Sequence, residues 1–167
     1  FPSGFSVTNS YNPFGYQESV KRTSDNAVLW QTHEMDAFGN VVSDSTGNGL
    51  TTMRIYNAET GRVENIATGT GTNGVLNDTS VQDLEYQWDS IGNLHNRRSQ
   101  RNGTEDIKEV FTYDALNRVK TALTTGLSSG SRSLSYDYDL LGNITNKSDV
   151  GSYKYGSDCA SGGYGPH

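Results

Sequence analysis

The stretch Tyr138-Asp139-Leu140-Leu141-Gly142-Asn143-Ile144 decides how this chain is read, because it does not stand alone. The same pattern occurs as Trp88-Asp89-Ser90-Ile91-Gly92-Asn93-Leu94 and as Tyr113-Asp114-Ala115-Leu116-Asn117-Arg118-Val119. An earlier copy is Met35-Asp36-Ala37-Phe38-Gly39-Asn40-Val41. Two looser copies are Tyr11-Asn12-Pro13-Phe14-Gly15-Tyr16 and Tyr56-Asn57-Ala58-Glu59-Thr60-Gly61-Arg62-Val63, the second with one extra residue before its glycine. Tyr155-Gly156 is a degenerate seventh start. Asp at the first position and Gly at the fourth is the favoured pattern of a type I turn. The carboxylate accepts hydrogen bonds from the turn's own amides. The glycine then takes a positive φ and forms the bulge that closes a three-residue hairpin loop. In one copy Asn117 replaces glycine, and Asn is the other residue that best tolerates that conformation. The reading therefore rests on Asp36, Gly39, Tyr56, Gly61, Trp88, Asp89, Gly92, Tyr113, Asp114, Asn117, Tyr138, Asp139 and Gly142 as structural turn residues.

The flanks of these turns alternate. Leu84, Tyr86 and Trp88 interleave with Asp83, Glu85 and Gln87, and Leu134, Tyr136 and Tyr138 with Ser135 and Asp137. Period two with one apolar face is the pattern of half-buried antiparallel strands, and no stretch sustains a helical period. The copies start at residues 11, 35, 56, 88, 113, 138 and 155, with gaps of 24, 21, 32, 25, 25 and 17. A constant motif at unequal spacing means a fixed turn joined by connectors of variable length. The longest connectors, Ala67 to Ser80 and Leu123 to Ser133, are rich in Gly, Thr and Ser and are expected to be exposed loops. The fold expected is all-β, a single array of antiparallel hairpins over 1–167, with no second domain.

Composition agrees with thin sheets. The apolar fraction is 32%, below the roughly 45–50% usual for globular chains, so a thick core cannot be filled. Ten tyrosines, five phenylalanines and two tryptophans must supply much of the burial, and Tyr tolerates a half-wet face. The net charge of −6 argues against a nucleic-acid partner. The one basic run, Arg97, Arg98 and Arg101, is too short for a binding stripe and reads as a solvated strand face. A single cysteine, Cys159, excludes an intrachain disulfide. No hydrophobic run approaches a membrane span. Phe1 is not an initiator methionine, so the chain is expected to be part of something longer, with any targeting signal outside it.

Tyr-Asp-x-x-Gly-Asn/Arg-Val/Leu resembles the YD repeat of Rhs proteins, which also occurs in the C components of Tc toxins, in wall-associated bacterial proteins and in teneurin-like shells. The likeness extends to Phe1-Pro2-Ser3-Gly4-Phe5, to Gly47-Asn48-Gly49-Leu50-Thr51-Thr52 and to Gly165-Pro166-His167, and so covers nearly the whole chain. It implies a spiral, curved sheet that closes as a hollow shell around a C-terminal toxin domain of the same parent chain. Neighbouring YD repeats and that toxin domain are the implied partners, and a secreted or cell-surface location follows. The core protease region and the toxin domain of such proteins are expected to lie outside 1–167. Met35 in place of an aromatic residue, and Asn12 and Asn57 in place of Asp, depart from the motif and weaken individual turns.

No catalytic constellation emerges, and the chain is expected not to be an enzyme and to need no cofactor. The turn aspartates lie more than 20 residues apart for the most part, whereas calcium needs six to eight converging oxygens. Asp137 and Asp139, at i and i+2, read as a wet strand face. His33, His95 and His167 share no zinc spacing with one another or with Cys159. The rival function is carbohydrate binding by tyrosines on an exposed sheet face. A short array also leaves strand edges unpaired, so edge-to-edge self-association is expected.

Overall fold

The computed structural model describes residues 4–103 and 106–155. Phe1, Pro2, Ser3, Gly156, Cys159 and the Gly165-Pro166-His167 stretch lie outside the described residues. Fourteen strands follow: β1 (Val7–Tyr11), β2 (Gln17–Arg22), β3 (Val28–Met35), β4 (Val41–Thr46), β5 (Leu50–Tyr56), β6 (Val63–Thr72), β7 (Val75–Leu76), β8 (Gln82–Trp88), β9 (Leu94–Ser99), β10 (Ile107–Tyr113), β11 (Val119–Thr125), β12 (Arg132–Tyr138), β13 (Ile144–Lys147) and β14 (Gly151–Ser152). The only helical turn among the described residues is the short 3-10 segment Arg101–Gly103. Among the described residues no helix is long and apolar enough to cross a membrane.

Hydrogen-bonded strand order is sequence order, β7 alone pairing off the path with β6. Every pairing whose register is defined is antiparallel. The chain is therefore the all-β hairpin array that its alternating flanks call for. It divides into two compact units, Phe1–Tyr86 with Arg98–Asp106, and Gln87–Arg97 with Ile107–His167.

In unit 1 the strands β1 to β6 pair in succession, and β6 then pairs with the start of β8. In unit 2 the ribbon runs β10 to β14. Each motif copy occupies the turn of a hairpin: β1/β2, β3/β4, β5/β6, β8/β9, β10/β11 and β12/β13. In the five of these with defined register, a bulge falls immediately before the leading residue, at Tyr11, Met35, Tyr56, Tyr113 and Tyr138. A bulge at a constant place adds the same local twist to every hairpin.

Burial is thin. Ala67 and Ala122 are the buried apolar residues among those described, while Ser19, Ser43, Asp44, Thr51, Thr68 and Asn96 are buried and polar. Small hydroxyl side chains fit where sheet and covering segment approach closely, and they satisfy one another across strands. Ser10 and Ser19 share a 2.6 Å hydrogen bond, and Thr52 and Thr68 one of 3.0 Å.

Two expectations fail in the connectors. Ala67 to Thr72 is strand, the second half of β6, and Ala67, Thr68 and Gly69 are buried rather than exposed. Leu123 to Thr125 and Arg132 to Ser133 are strand as well, leaving only residues 126–131 as loop. The physical reason is steric. Thr is a good strand former, and the intervening glycines let other backbone come close. A Cβ on Gly69 would stand 2.1 Å from the Asp78 carbonyl oxygen, and one on Gly71 would stand 2.2 Å from Thr51 Oγ1.

Candidate functional site

The repeating turn recurs with constant geometry, and it builds up from one carboxylate. Asp89 Oδ1 accepts the Ile91 N–H at 3.0 Å and the Asn93 N–H at 2.8 Å, while Oδ2 accepts the Asn93 side-chain amide at 3.0 Å. The Asp89 N–H donates to the Asn93 carbonyl, and the Gly92 N–H to the Asp89 carbonyl. Asp36 with Phe38 and Asn40 repeats the set, as does Asp139 with Leu141 and Asn143. Asp114 makes the same two backbone contacts, and Arg118 replaces the amide, its Nε donating to Oδ2 at 2.7 Å. The fourth residue has positive φ throughout: 83° at Gly39, 99° at Gly92, 60° at Asn117 and 92° at Gly142. Asp36 with Gly39, Asp89 with Gly92, Asp114 with Asn117 and Asp139 with Gly142 thus share one turn geometry.

The looser copies adapt. Asn12 Oδ1 accepts the Phe14 and Tyr16 N–H groups, both at 3.0 Å. Asn57 sits in the longer turn, where Oδ1 accepts from Glu59 and Thr60, and the Gly61 N–H reaches the Asn57 carbonyl at 2.8 Å. A neutral amide oxygen thus does the acceptor's work of the carboxylate.

These hydrogen bonds hold the charged form of the acids. The Asn40 amide beside Asp36 and the Asn143 amide beside Asp139 hold both carboxyls below their ordinary value, and the Arg118 guanidinium does so for Asp114. At Asp89 partial desolvation pushes upward, and the combined donation from Asn93, Ile91 and Gly92 outweighs it.

A second recurrent contact was not legible in the sequence. The leading tyrosine of a copy donates its hydroxyl to the carbonyl of the first exit-strand residue of the copy before. Tyr113 reaches Leu94 at 2.8 Å, Tyr138 reaches Val119 at 2.8 Å, Tyr155 reaches Ile144 at 2.7 Å, and Tyr56 reaches Val41 at 3.4 Å. Burial pushes the Tyr113 and Tyr138 phenols upward, which keeps them as donors. Adjacent turns in unit 2 are also tied directly. Asn93 Nδ2 donates to Asn117 Oδ1 at 3.2 Å, and Arg118 Nη1 donates to the Asp139 carbonyl at 3.1 Å. The Arg118 guanidinium lies 4.5 Å from the centre of the Tyr138 ring.

Other expected features resolve differently. Arg97 is paired with Glu109, and Arg98 with Asp106 and Glu85, so two members of the basic run form ion pairs on a partly solvated face. Asp137 lies in β12 and Asp139 in the turn, with a register shift directly after Asp137, so the two do not continue one regular strand face. His33 bonds Ser45 at 2.7 Å. Among the described residues no three His, Cys, Asp or Glu side chains gather as a metal site. In unit 1 the sequence carried no sign of Asp44, whose buried carboxylate accepts the Trp30 indole N–H at 3.0 Å and pairs with Arg54. Nor did it reveal Asp78, which caps Thr70 and Ser80.

No protein-family model matches the chain, and no curated protein sequence does. Solved structures do. A crystal structure of TcdB2-TccC3-TEV superposes with a TM-score of 0.69 at 22% identity, over 87% of this chain and 8% of that one. TcdB2-TccC3-Cdc42 gives 0.70 at 20% identity, over 91% and 9%. The Photorhabdus luminescens Tc holotoxin pore with a substituted TccC3 gives 0.70 at 20% identity, over 90% and 8%. The chain thus has the fold found in these Tc toxin chains, and the likeness read from its Tyr-Asp turns extends to three dimensions. It spans less than a tenth of their length.

Proposed function

We propose that this chain is a wall segment: a non-catalytic stretch of YD repeats that, with neighbouring repeats, encloses a C-terminal toxin domain of the same parent chain and helps deliver it from a secreted or cell-surface protein. The carrying observation is the tyrosine link. Each hydroxyl fixes the start of one hairpin to the exit of the previous one, so the strip is held along its length with almost no apolar core. A wall needs that economy, because side chains spent on a thick core would fill the space meant for cargo. The fold shared with Tc toxin chains supports the reading. Among the described residues β1 and β14 each have one neighbour, which suits continuation by further repeats or edge-to-edge association of free copies.

The test is limited proteolysis of the parent polypeptide carrying this segment. The downstream domain is expected to resist protease in the intact protein. It should become cleavable when Tyr113 and Tyr138 are both changed to Ala, with circular dichroism reporting whether strands persist. A downstream domain cut equally fast in the intact protein and in isolation would overturn the wall reading.

A second reading is carbohydrate binding, favoured by the exposed Tyr11, Phe14 and Tyr16 in the β1/β2 hairpin. Glycan-array binding lost on Tyr11→Ala would support it, and a blank array would remove it.

A further inference from the structure

In unit 1 the first motif turn and strands β2 and β3 border a cavity of about 190 Å³, the size of a single sugar ring. Asn12, Gln17 and Glu18 line it from the turn and β2, and Thr32, His33 and Glu34 from β3. The repeat is irregular at this place. Of the five motif hairpins with defined register, β3/β4 alone carries a second shift, between Thr32 and Glu34, which leaves His33 opposite no residue. Bulges of this kind re-aim side chains beside binding sites. His33 is then fixed from two directions. Its Nε2 meets Ser45 Oγ at 2.7 Å, and a Cβ on Gly74 would stand 2.5 Å from its own Cβ.

The hydrogen-bonding groups of the cavity narrow its ligand. Asn12 Oδ1 is taken by the Phe14 and Tyr16 amides, which leaves the side-chain NH2 as a donor. Gln17 Nε2 is taken by Asn9, which leaves the side-chain carbonyl as an acceptor. The carboxylates of Glu18 and Glu34 make no hydrogen bond or ion pair with any described residue. A ligand must therefore bring several donors and at least one acceptor, as vicinal hydroxyls do. No Lys or Arg lines the cavity, so an acidic ligand meets two carboxylates and no compensating charge. An apolar ligand would leave these groups unmatched. Glu18, His33 and Glu34 do not gather as a metal site. The exposed Tyr11, Phe14 and Tyr16 flank Asn12 in the chain, and the Tyr16 ring is held against Gly39, where a Cβ would stand 2.6 Å from it. A few placed polar groups beside aromatic rings are the ordinary composition of a small-molecule site.

We infer that this cavity holds one neutral sugar ring, the terminal residue of a glycan, whose hydroxyls donate to Glu18 and Glu34 and accept from Asn12. The inference rests on the carbohydrate reading and narrows it from an exposed aromatic face to one cavity and one charge class of sugar. Uronic, sialic and sulfated sugars are excluded by the two carboxylates.

Amide-resolved NMR titration of the intact chain tests it, with the methyl glycosides of glucose, galactose and mannose as neutral probes and glucuronate as the acidic one. At least one neutral glycoside should shift the Gln17, Glu18, Thr32 and Glu34 amides saturably, and glucuronate should not. Glu18→Gln with Glu34→Gln should weaken that binding by about tenfold. Both side chains are exposed and unpaired, so the fold is retained, which the remaining amide shifts verify. Shifts confined to Tyr11, Phe14 and Tyr16 and indifferent to the Glu changes would overturn the cavity while leaving the carbohydrate reading standing. Glucuronate binding as well as the neutral probes would overturn the charge selection. No shift with any sugar would remove both.

Discussion

Unit 1 and unit 2 use the same hairpin turn, yet they stabilise it by different means. In unit 2 the copies beginning at 88, 113 and 138 are evenly spaced, and order propagates along the strip through Tyr113, Tyr138, Tyr155 and Arg118. In unit 1 the spacing is uneven, one tyrosine link is long, and stability comes from a local lid. The Asn73-Gly74 tip of the β6/β7 hairpin lies on β3 and β4, where the Ser43 hydroxyl donates to the Gly74 carbonyl at 2.6 Å. Thr51 is buried against Gly71 of the same hairpin, while the Trp30–Asp44–Arg54 group ties β3, β4 and β5 together. Equal repeats allow identical links between neighbours, whereas an irregular repeat must fill its own gaps.

The largest expected effect breaks the lid. Gly71→Val places a Cβ against Thr51 and, at 2.7 Å, against the Val75 carbonyl oxygen, which cannot step aside. Unit 1 should lose about 3 kcal/mol in urea unfolding. In unit 2, by contrast, a Cβ at Gly142 meets nothing within 4 Å, so Gly142→Ala costs only the left-handed strain, about 1–2 kcal/mol. Next comes Asp44→Ala, which strands a half-buried indole N–H and a guanidinium. A loss of about 2–3 kcal/mol is expected, reduced from the fully buried case because Arg54 keeps 26% side-chain exposure.

The tyrosine links should be worth less individually. Tyr113→Phe and Tyr138→Phe each remove one hydroxyl from a carbonyl and should cost about 1 kcal/mol. Tyr56→Phe, with its 3.4 Å contact, should cost clearly less, and equal costs at all three would erase the distinction between the units. Smaller still is Asn117→Gly. It relieves left-handed strain but gives up the Asn93 contact, so stability should stay within about 0.5 kcal/mol.

Acid should act on both units through the same groups. The folded chain lowers the turn carboxyls of Asp36, Asp89, Asp114 and Asp139 from 3.8. Their contribution is therefore complete above about pH 4 and declines as pH falls through the lowered values. Thermal melts should be flat from neutrality to about pH 4 and drop below it, with Asp114→Asn showing a shallower drop. A decline beginning near pH 6 would contradict this.

The turns were legible because Asp, Gly and Asn at fixed offsets report backbone conformation directly, and the strand flanks were legible because Leu84, Tyr86 and Trp88 alternate. The tyrosine links were not, since sequence spacing does not say which carbonyl a hydroxyl meets. Gly69-Thr70-Gly71-Thr72 was misread because glycine looks like loop until the close approach of Asp78 and Thr51 is seen. Two signals were available there: the alternation of Thr with Gly, and the Asn73-Gly74 pair, a strong short hairpin signal. Asp44 was unreadable because its partners, Trp30 and Arg54, lie on separate strands.

Residue-resolved amide exchange by NMR on the intact chain tests the shared turn most directly. The N–H groups of Asp89, Asp114 and Asp139, with those of Gly92, Asn117 and Gly142, donate within the turn and should exchange as slowly as neighbouring strand amides. The N–H groups of Ser90, Ala115 and Leu140, at the tips, should exchange far faster. Uniformly fast exchange across all nine would mean that these quartets do not hold the hairpins, and the account would fall with them.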